Sequence, residues 1–230
     1  MIPLRDDNPT VLSPIVTVTL IIINATVFFY ELSLLSYGPT ALDSFIYQMG
    51  MVPASILKAH IPGTGGYFTV FSSMFLHGGW MHVIGNMLYL WIFGNNIEDS
   101  MGHLRFIVFY LVVGLTAALT HLAFNPTSTV PTIGASGAVS GVLGAYLVLF
   151  PHARILTFVP LGPFFRIVYL PAWVLLFFWI GLQLLHQALD PRDPMAGGVA
   201  YAAHIGGFVA GLALISIFRK YRRRAHFQYF

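Results

Sequence analysis

The chain has 230 residues, of which 57% are hydrophobic and only 8% are charged, whereas a soluble domain carries about 25% charged residues. So few charges cannot cover the surface of a soluble fold, and the same deficit excludes a disordered chain. An outer-membrane β-barrel does not fit either, because its strands alternate polar and apolar residues. The lack of cysteine excludes disulfides, thiolate metal ligands and a cysteine nucleophile. The composition therefore predicts an all-α, polytopic membrane protein.

Six stretches approach the roughly 20 apolar residues that a bilayer-spanning helix needs. The first is too long for a cleaved signal peptide, and no small-x-small cleavage site follows it. No repeat, linker or low-complexity segment divides the chain, so we expect a single membrane domain over residues 1–230. The predicted spans cover residues 14–35, 77–97, 104–124, 136–150, 165–189 and 200–218.

Lysine and arginine are distributed unequally between the two sides of this six-span arrangement. The side with both termini holds nine of them, and the other side holds Lys58 and Arg192. Because positive residues accumulate on the inner side of a membrane, this split predicts cytoplasmic termini. The basic tail, residues 219–230, directly follows the last span, which favours an anchor to anionic lipid over a nucleic-acid interface. The nine residues are Arg5, Arg105, Arg154, Arg166, Arg219, Lys220, Arg222, Arg223 and Arg224.

Two of the predicted external connections are unusual. Residues 36–76 form a long loop rich in apolar side chains, which we expect to lie in the membrane interface. The loop over residues 125–135 is uncharged and leads into the short fourth span. At 1.5 Å per residue that span covers about 22 Å, less than the roughly 30 Å of hydrocarbon. Its outer end is therefore expected below the membrane surface, beside a water-filled cavity.

The sequence Gly134-Ala135-Ser136-Gly137 opens the fourth span. Gly134 permits a turn that aims backbone N–H groups inward, and the helix end adds partial positive charge. This combination suits a serine nucleophile beside an oxyanion hole. A serine at the start of a helix is also a common N-cap. Taken alone, the motif favours the N-cap over the nucleophile.

A second pattern starts at His204, near the beginning of the sixth span. Glycines follow it at i+3 and i+7 on the same helix face, and the fourth span has glycines at matching spacing. Two such stripes let helix backbones approach closely, which would bring Ser136 and His204 into the geometry of an activated serine. Packing alone explains the glycines, but it explains less well a histidine that faces a serine at the same depth. The stripe glycines are Gly137, Gly141, Gly144, Gly207 and Gly211.

The second span carries His82 and Asn86 on one face, with His77 at its outer end. A metal site needs convergent ligands, usually with carboxylates nearby, and the HExxH pattern is absent. In the external half of the bundle, Glu31 is the one acidic residue within a predicted span. We therefore expect no metal here and predict that His82 and Asn86 donate hydrogen bonds to a developing negative charge.

These motifs together resemble those of the rhomboid family of intramembrane serine proteases, from about residue 77 to residue 211. The family pattern has a histidine pair and an asparagine in the second span, followed by a G-x3-E-x3-G motif. GxSG opens the fourth span, and AH followed by small residues lies in the sixth. The matching residues are His77, His82 and Asn86, then Gly94, Glu98 and Gly102, then Gly134, Ser136 and Gly137, then Ala203, His204 and Gly207.

The resemblance implies a six-helix bundle with a short fourth helix and a Ser–His dyad. Ser136 would be the nucleophile, and His204 the general base and then the general acid. His82, Asn86 and the backbone N–H of Ser136 would hold the oxyanion, with help from the Gly134 region. The implied substrates are single-span membrane proteins cut in or near the outer part of the span, and no cofactor is implied. No carboxylate is placed to orient His204, which agrees with a dyad.

Two positions depart from the family pattern. The family often has a Trp–Arg pair in the first loop, where this chain has Phe68-Thr69, so anchoring of that loop is expected to differ. Some members have a tyrosine four residues after the nucleophile that packs on the catalytic histidine. Here that residue is Ser140, so support for the His204 ring must come from elsewhere or be looser.

Two other functional classes remain open. An inactive rhomboid-like binding protein would keep the fold and lack the dyad, but Ser136 and His204 are both present. A small transporter would usually pair charges near the midplane of the bilayer, and this chain lacks such pairs. A short N-terminus without a transit-type sequence favours the plasma membrane of a prokaryote as the location.

Overall fold

A computed structural model describes residues 1–57, 61–190 and 197–220, and most of them are helical. Lys58, Arg192 and residues 221–230 of the predicted basic tail lie outside the described residues. The helices are α1 (Ile15–Leu34), α2 (Pro39–Met49), α3 (Pro53–Leu57), α4 (Thr69–Ser72), α5 (Trp80–Met101), α6 (His103–Phe124), α7 (Ser136–Leu149), α8 (Ala172–Leu189) and α9 (Tyr201–Phe218). The strands are β1 (Ile2–Asp6), β2 (Arg154–Leu161) and β3 (Phe164–Pro171).

Four helical segments are long and apolar enough to cross a membrane, and α7 is a shorter apolar helix. α5 is as long as α6 but more polar, because its second half carries two asparagines and two acidic residues. It also begins at Trp80 and ends at Met101, three to four residues later than predicted. The six-span count therefore stays a prediction. The four segments are Ile15–Tyr37, His103–Phe124, Ala172–Leu189 and Tyr201–Phe218.

The predicted start of the fifth span at residue 165 is wrong. The all-α prediction is wrong only for the three strands, since most of the described residues are helical. Residues 164–171 form β3, which pairs antiparallel with β2, and β2 pairs antiparallel with β1. Gly162, with a φ of +65°, takes the tight turn between β2 and β3. Both faces of β3 are largely apolar, and periodicity cannot distinguish such a run from a buried helix. The helical part of the fifth span begins only at Ala172.

The short helix α7 lies in the middle of the bundle, with every residue from 137 to 146 buried. Its glycines allow α6 and α9 to approach it closely. A Cβ added at Gly141 would overlap Val113 of α6, and one added at Gly144 would overlap the carbonyl of Phe208 in α9. This packing fixes the depth at which the first residue of α7, Ser136, is held.

Glu98 of α5 attaches the start of α1 to the bundle. Its carboxylate, which is fully buried, accepts hydrogen bonds from the backbone N–H groups of Val16 and Thr17 at 2.8 Å and from the Thr17 hydroxyl at 2.7 Å. These are free N–H groups of a helix N-terminus, where a negative charge is stabilising. The glutamate of the G-x3-E-x3-G motif thus has a structural contact far from Ser136.

The long first loop packs onto the segment before α7. Met51 and Thr132 exchange two backbone hydrogen bonds, and the N–H of Gly134 donates to the carbonyl of Ser73 at 2.8 Å. The described part of the loop contains the short helices α2, α3 and α4. The loop therefore holds the backbone just before Ser136 through these hydrogen bonds.

Candidate active site

The glycine stripes of α7 and α9 face each other. A Cβ added at Gly207 would overlap the carbonyl of Gly137, and one added at Gly211 would overlap the carbonyl of Gly141. Backbone therefore meets backbone without side chains between them, the close approach that small residues permit. This contact continues along the helices to the level of Ser136.

Ser136 and His204 meet at the outer end of this contact. Ser136 Oγ lies 2.8 Å from His204 Nε2, within the range of a good hydrogen bond. His204 is buried and Ser136 is half-buried. The N-cap position of α7 belongs to Ala135, and no side-chain cap is formed there. The Ser136 hydroxyl is thus engaged with histidine, in the geometry of an activated nucleophile.

Gln183 on α8 extends the hydrogen bond between Ser136 and His204 into a chain of hydrogen bonds. The sequence analysis did not predict this residue. Its Oε1 lies 2.8 Å from His204 Nδ1, and its Nε2 donates to the backbone carbonyl of Trp179 at 3.3 Å. The Trp179 ring lies 5.8 Å from the His204 ring, between centroids. The His204 ring is therefore supported by residues of α8. The tyrosine that some family members have four residues after the nucleophile is replaced by Ser140 in this chain. A polar residue inside an apolar span is itself a signal of function, and that signal was available in the sequence.

His82 of α5 lines the same cavity as Ser136. The backbone N–H of Gly78 donates to His82 Nδ1 at 3.4 Å, which leaves Nε2 as the ring N–H. A Cβ added at Gly134 would lie 2.7 Å from this Nε2 and 3.6 Å from Ser136 Oγ. Gly134 has a φ of +128°, so both its conformation and the available space require glycine.

Asn86 is one turn further along α5, and its side chain is buried. Its Nδ2 has no hydrogen-bond partner, a costly state for a buried amide unless a ligand or water pairs with it. Asn86 and His82 line the same cavity as Ser136. His82, Asn86 and Ser136 therefore border one volume.

His77 contacts α1 through its backbone and His82 through its ring. Its N–H lies 3.2 Å from both carboxylate oxygens of Glu31 in α1, and its ring packs edge-on against His82 with centroids 5.1 Å apart. His77 thus lies behind His82 and supports it. Among the residues that the structure describes, no three His, Cys, Asp or Glu side chains are grouped so that they could hold a metal ion.

A cavity of about 1060 Å³ contains the site. Ser136, His204, His82 and Asn86 line it, together with most of the uncharged loop before α7. Its size is at the upper end of the range for ligand sites.

The two departures from the family pattern have local hydrogen bonds of their own. Ser140 Oγ donates to the carbonyl of Ser136 at 2.6 Å, within the same helix. Thr69 Oγ1 donates to the carbonyl of Gly66 at 2.6 Å, which closes a turn in the first loop. Neither contact reaches His204.

The fold and the cavity define a helical membrane protein with a Ser–His pair at the mouth of a short central helix. The sequence pattern of the Rhomboid domain matches residues 64–221, more than half of the chain. The chain belongs to the rhomboid family. With its apolar helices, family membership identifies it as an integral, multi-pass membrane protein.

The chain is similar to several curated rhomboid proteins. It is 33% identical over 151 residues to Rhomboid protein 1, mitochondrial, of Saccharomyces cerevisiae. That matched region covers 63% of this chain and 40% of the yeast protein. It is 30% identical over 150 residues to Rhomboid protease GluP of Bacillus subtilis, with 65% and 26% covered. It is 29% identical over 223 residues to Rhomboid protease AarA of Providencia stuartii, with 87% and 71% covered. The matched region is less than half of the length of the yeast and Bacillus proteins.

Proposed function

We propose that this protein is an intramembrane serine endopeptidase. Its substrates are single-span membrane proteins, which it cuts in or near the transmembrane segment. The observation that carries the proposal is the 2.8 Å contact between Ser136 Oγ and His204 Nε2 at the wall of a large cavity inside an apolar bundle. The similarity to proteins named rhomboid proteases supports the same reaction class.

The first half of the reaction transfers the acyl group to Ser136. Ser136 Oγ attacks the scissile carbonyl carbon while its proton passes to His204 Nε2. The negative charge on the carbonyl oxygen is stabilised by the His82 ring N–H, Asn86 Nδ2 and the backbone N–H of Ser136. The C–N bond then breaks, and His204 returns the proton to the leaving amine.

The second half of the reaction hydrolyses the ester on Ser136. A water molecule from the cavity attacks the ester carbonyl and gives a proton to His204 Nε2. The bond between the acyl carbon and Ser136 Oγ breaks, and His204 returns the proton to Oγ. No cofactor takes part in this sequence.

A substrate helix must unwind before it can react, because its carbonyls are paired in i→i−4 hydrogen bonds. We expect preference for substrates with Gly, Pro or polar residues near the cut and small residues at it. Replacing the Gly and Pro residues of a cleaved model substrate by Leu is expected to slow cleavage. Undiminished cleavage would contradict this preference.

We also propose six spans, formed by α1 and α5 to α9, with both termini on the cytoplasmic side. The 22 residues of α5 extend about 33 Å, enough to cross the hydrocarbon. β1 pairs with β2 beyond the end of α7, and the N–H of Lys220 donates to the carbonyl of Ser100. Both described ends of the chain therefore lie at the end of the bundle opposite Ser136.

The test is cleavage of a transmembrane model substrate by the protein purified in detergent. Ser136→Ala and His204→Ala are each expected to abolish cleavage while the protein stays folded. Ser216→Ala and His152→Ala are the matched controls, because they make the same changes at exposed positions and should keep wild-type rates. Wild-type cleavage by either Ser136→Ala or His204→Ala would overturn the proposal.

A further inference from the structure

Gln183 is bound in a way that fixes which nitrogen of His204 carries the proton. The Gln183 amide donates from Nε2 to the Trp179 carbonyl, so the atom that faces His204 Nδ1 at 2.8 Å is the acceptor Oε1. An acceptor there requires a proton on Nδ1. Nε2 is then unprotonated and free to accept the proton of Ser136.

We infer that Gln183 is a positioning residue that holds His204 in the tautomer and orientation needed to deprotonate Ser136. The inference rests on the proposed function. A histidine whose second nitrogen has no acceptor populates the wrong tautomer, which is why serine hydrolases usually pair it with a carboxylate. Here a neutral amide takes that place, since an ionised carboxylate buried in an apolar bundle carries a large desolvation cost.

The test compares Gln183→Leu with Gln183→Glu in detergent, with Gln187→Leu as the matched change one turn further along α8. Gln183→Leu removes the acceptor at similar volume, and kcat is expected to fall by about tenfold with little change in KM. The rate of labelling by a fluorophosphonate, which needs an activated serine but no substrate site, should fall in parallel. Gln183→Glu restores an acceptor and should recover activity, with an additional ionisation in its pH–kcat profile. Gln187→Leu should match the wild type.

Two outcomes separate the inference from the proposed function. Wild-type kcat and labelling in Gln183→Leu, with Ser136→Ala inactive, would refute the role of Gln183 and leave the serine protease standing. Full activity in Ser136→Ala would instead refute the proposed function. A fall in thermal stability equal in Gln183→Leu and Gln183→Glu, without rescue of kcat, would mark Gln183 as merely structural and also refute the inference.

A second inference concerns the sheet, whose outer face is apolar. The register pairs Phe158 with Ile167 and Leu156 with Tyr169, so these side chains share one face with Phe165. Phe165, Ile167 and Tyr169 are 64%, 53% and 47% exposed, although the opposite face buries Ile155 and Thr157 completely. A sheet with one face in water usually alternates apolar and polar residues, and this one does not.

The position of this face beside α8 and the arginine and tyrosine side chains at its edge indicate what covers it. β3 continues without a loop into α8, the helix of the apolar fifth span, so the hairpin starts where the chain enters the bilayer. Arg5 donates to the Tyr169 hydroxyl at 3.3 Å, and the Arg154 guanidinium lies 5.6 Å from the Tyr169 ring centroid. Tyrosine and arginine at an apolar boundary are typical of the membrane interface. We propose that the β2–β3 hairpin lies in this interface with its outer face in contact with lipid.

The cysteine-free sequence allows a direct test by single-cysteine labelling with an NBD fluorophore. Ile167→Cys reports the outer face, and Arg166→Cys, its exposed neighbour, reports the opposite face of the same strand. The labelled proteins are placed in vesicles of phosphatidylcholine and phosphatidylglycerol. We expect doxyl-labelled phosphatidylcholine to quench position 167 more than position 166, and aqueous iodide to do the reverse. Equal iodide quenching at both positions, or protection of 167 from both quenchers as in a contact with a second copy, would overturn the proposal.

Discussion

Replacing Gly207 by alanine tests whether the close contact of α7 and α9 holds the Ser136–His204 pair together. An added Cβ would lie 3.0 Å from the carbonyl carbon of Gly137, closer still to its oxygen, and 3.3 Å from Ala117 Cβ. The main obstacle is backbone, so no change of rotamer can relieve the overlap. Because the Gly137 carbonyl oxygen would lie more than 1 Å inside ordinary van der Waals contact with the added Cβ, the two helices must separate by about 1 Å at this level.

The separation acts directly on the proposed catalytic pair, because Gly207 lies one turn from His204. An increase of about 1 Å takes the Oγ–Nε2 distance beyond hydrogen-bond range from its present 2.8 Å. A misplacement of this size is expected to lower kcat by about 100-fold. Overpacking lowers the free energy of unfolding by about 1–3 kcal/mol, and the higher helix propensity of alanine offsets at most about 1 kcal/mol of it.

The assay is cleavage of a transmembrane model substrate together with thermal unfolding, both in detergent. Gly181 on α8 provides the matched control, because a Cβ added there meets nothing within 4 Å. Gly181→Ala is expected to keep wild-type activity and an equal or slightly higher Tm. Wild-type kcat and Tm in Gly207→Ala would refute the reasoning. Equal losses in both variants would show that alanine acts through something other than the contact with α7.

Three further predictions concern the proposed oxyanion donors, the anchor of α1 and the proposed orientation in the membrane. His82→Ala and Asn86→Ala are each expected to lower kcat by about 100- to 1000-fold with little change in KM, and unchanged kcat in both would contradict their role. Glu98→Gln should lower the free energy of unfolding by about 1.5–3 kcal/mol, measured by denaturation in detergent, and an unchanged value would show that the carboxylate contacts to α1 and to His103 together contribute little. A membrane-impermeant maleimide on intact cells should label Tyr37→Cys but not Val11→Cys, two positions of equal exposure, and the reverse pattern would contradict cytoplasmic termini.

The contact of α7 with α9 shows what the sequence could predict. Small residues at i+3, i+4 and i+7 are a local property of one helix, so both glycine stripes are readable without any structure. Ser136 and His204 are placed by these stripes, which is why their proximity could be expected from spacing. The relative depth of the two helices is a property of the pair, and it follows only from the structure.

The strands β2 and β3 show where such reasoning stops. Residues 164–171 are as apolar as the helix that follows, and their outer face gives no alternation from which to recognise a strand. Gln183 was missed for a different reason. It lies on a third helix, outside every motif, and its partner His204 is 21 residues away, so only the tertiary packing joins them.

Buried carboxylates and neutral amides have different roles in this bundle. Glu98 and Glu31 each accept hydrogen bonds from backbone N–H groups, donors that would otherwise be left unpaired. The series from Ser136 through His204 to Gln183 ends at the Trp179 carbonyl and contains no carboxylate. In the proposed reaction, proton transfer between Ser136 and His204 creates charge only transiently, and the proposed donors His82 and Asn86 would stabilise that charge. A charge content of 8% is therefore compatible with the proposed hydrolysis, because the proposed site uses correctly placed neutral donors and acceptors rather than permanent charges.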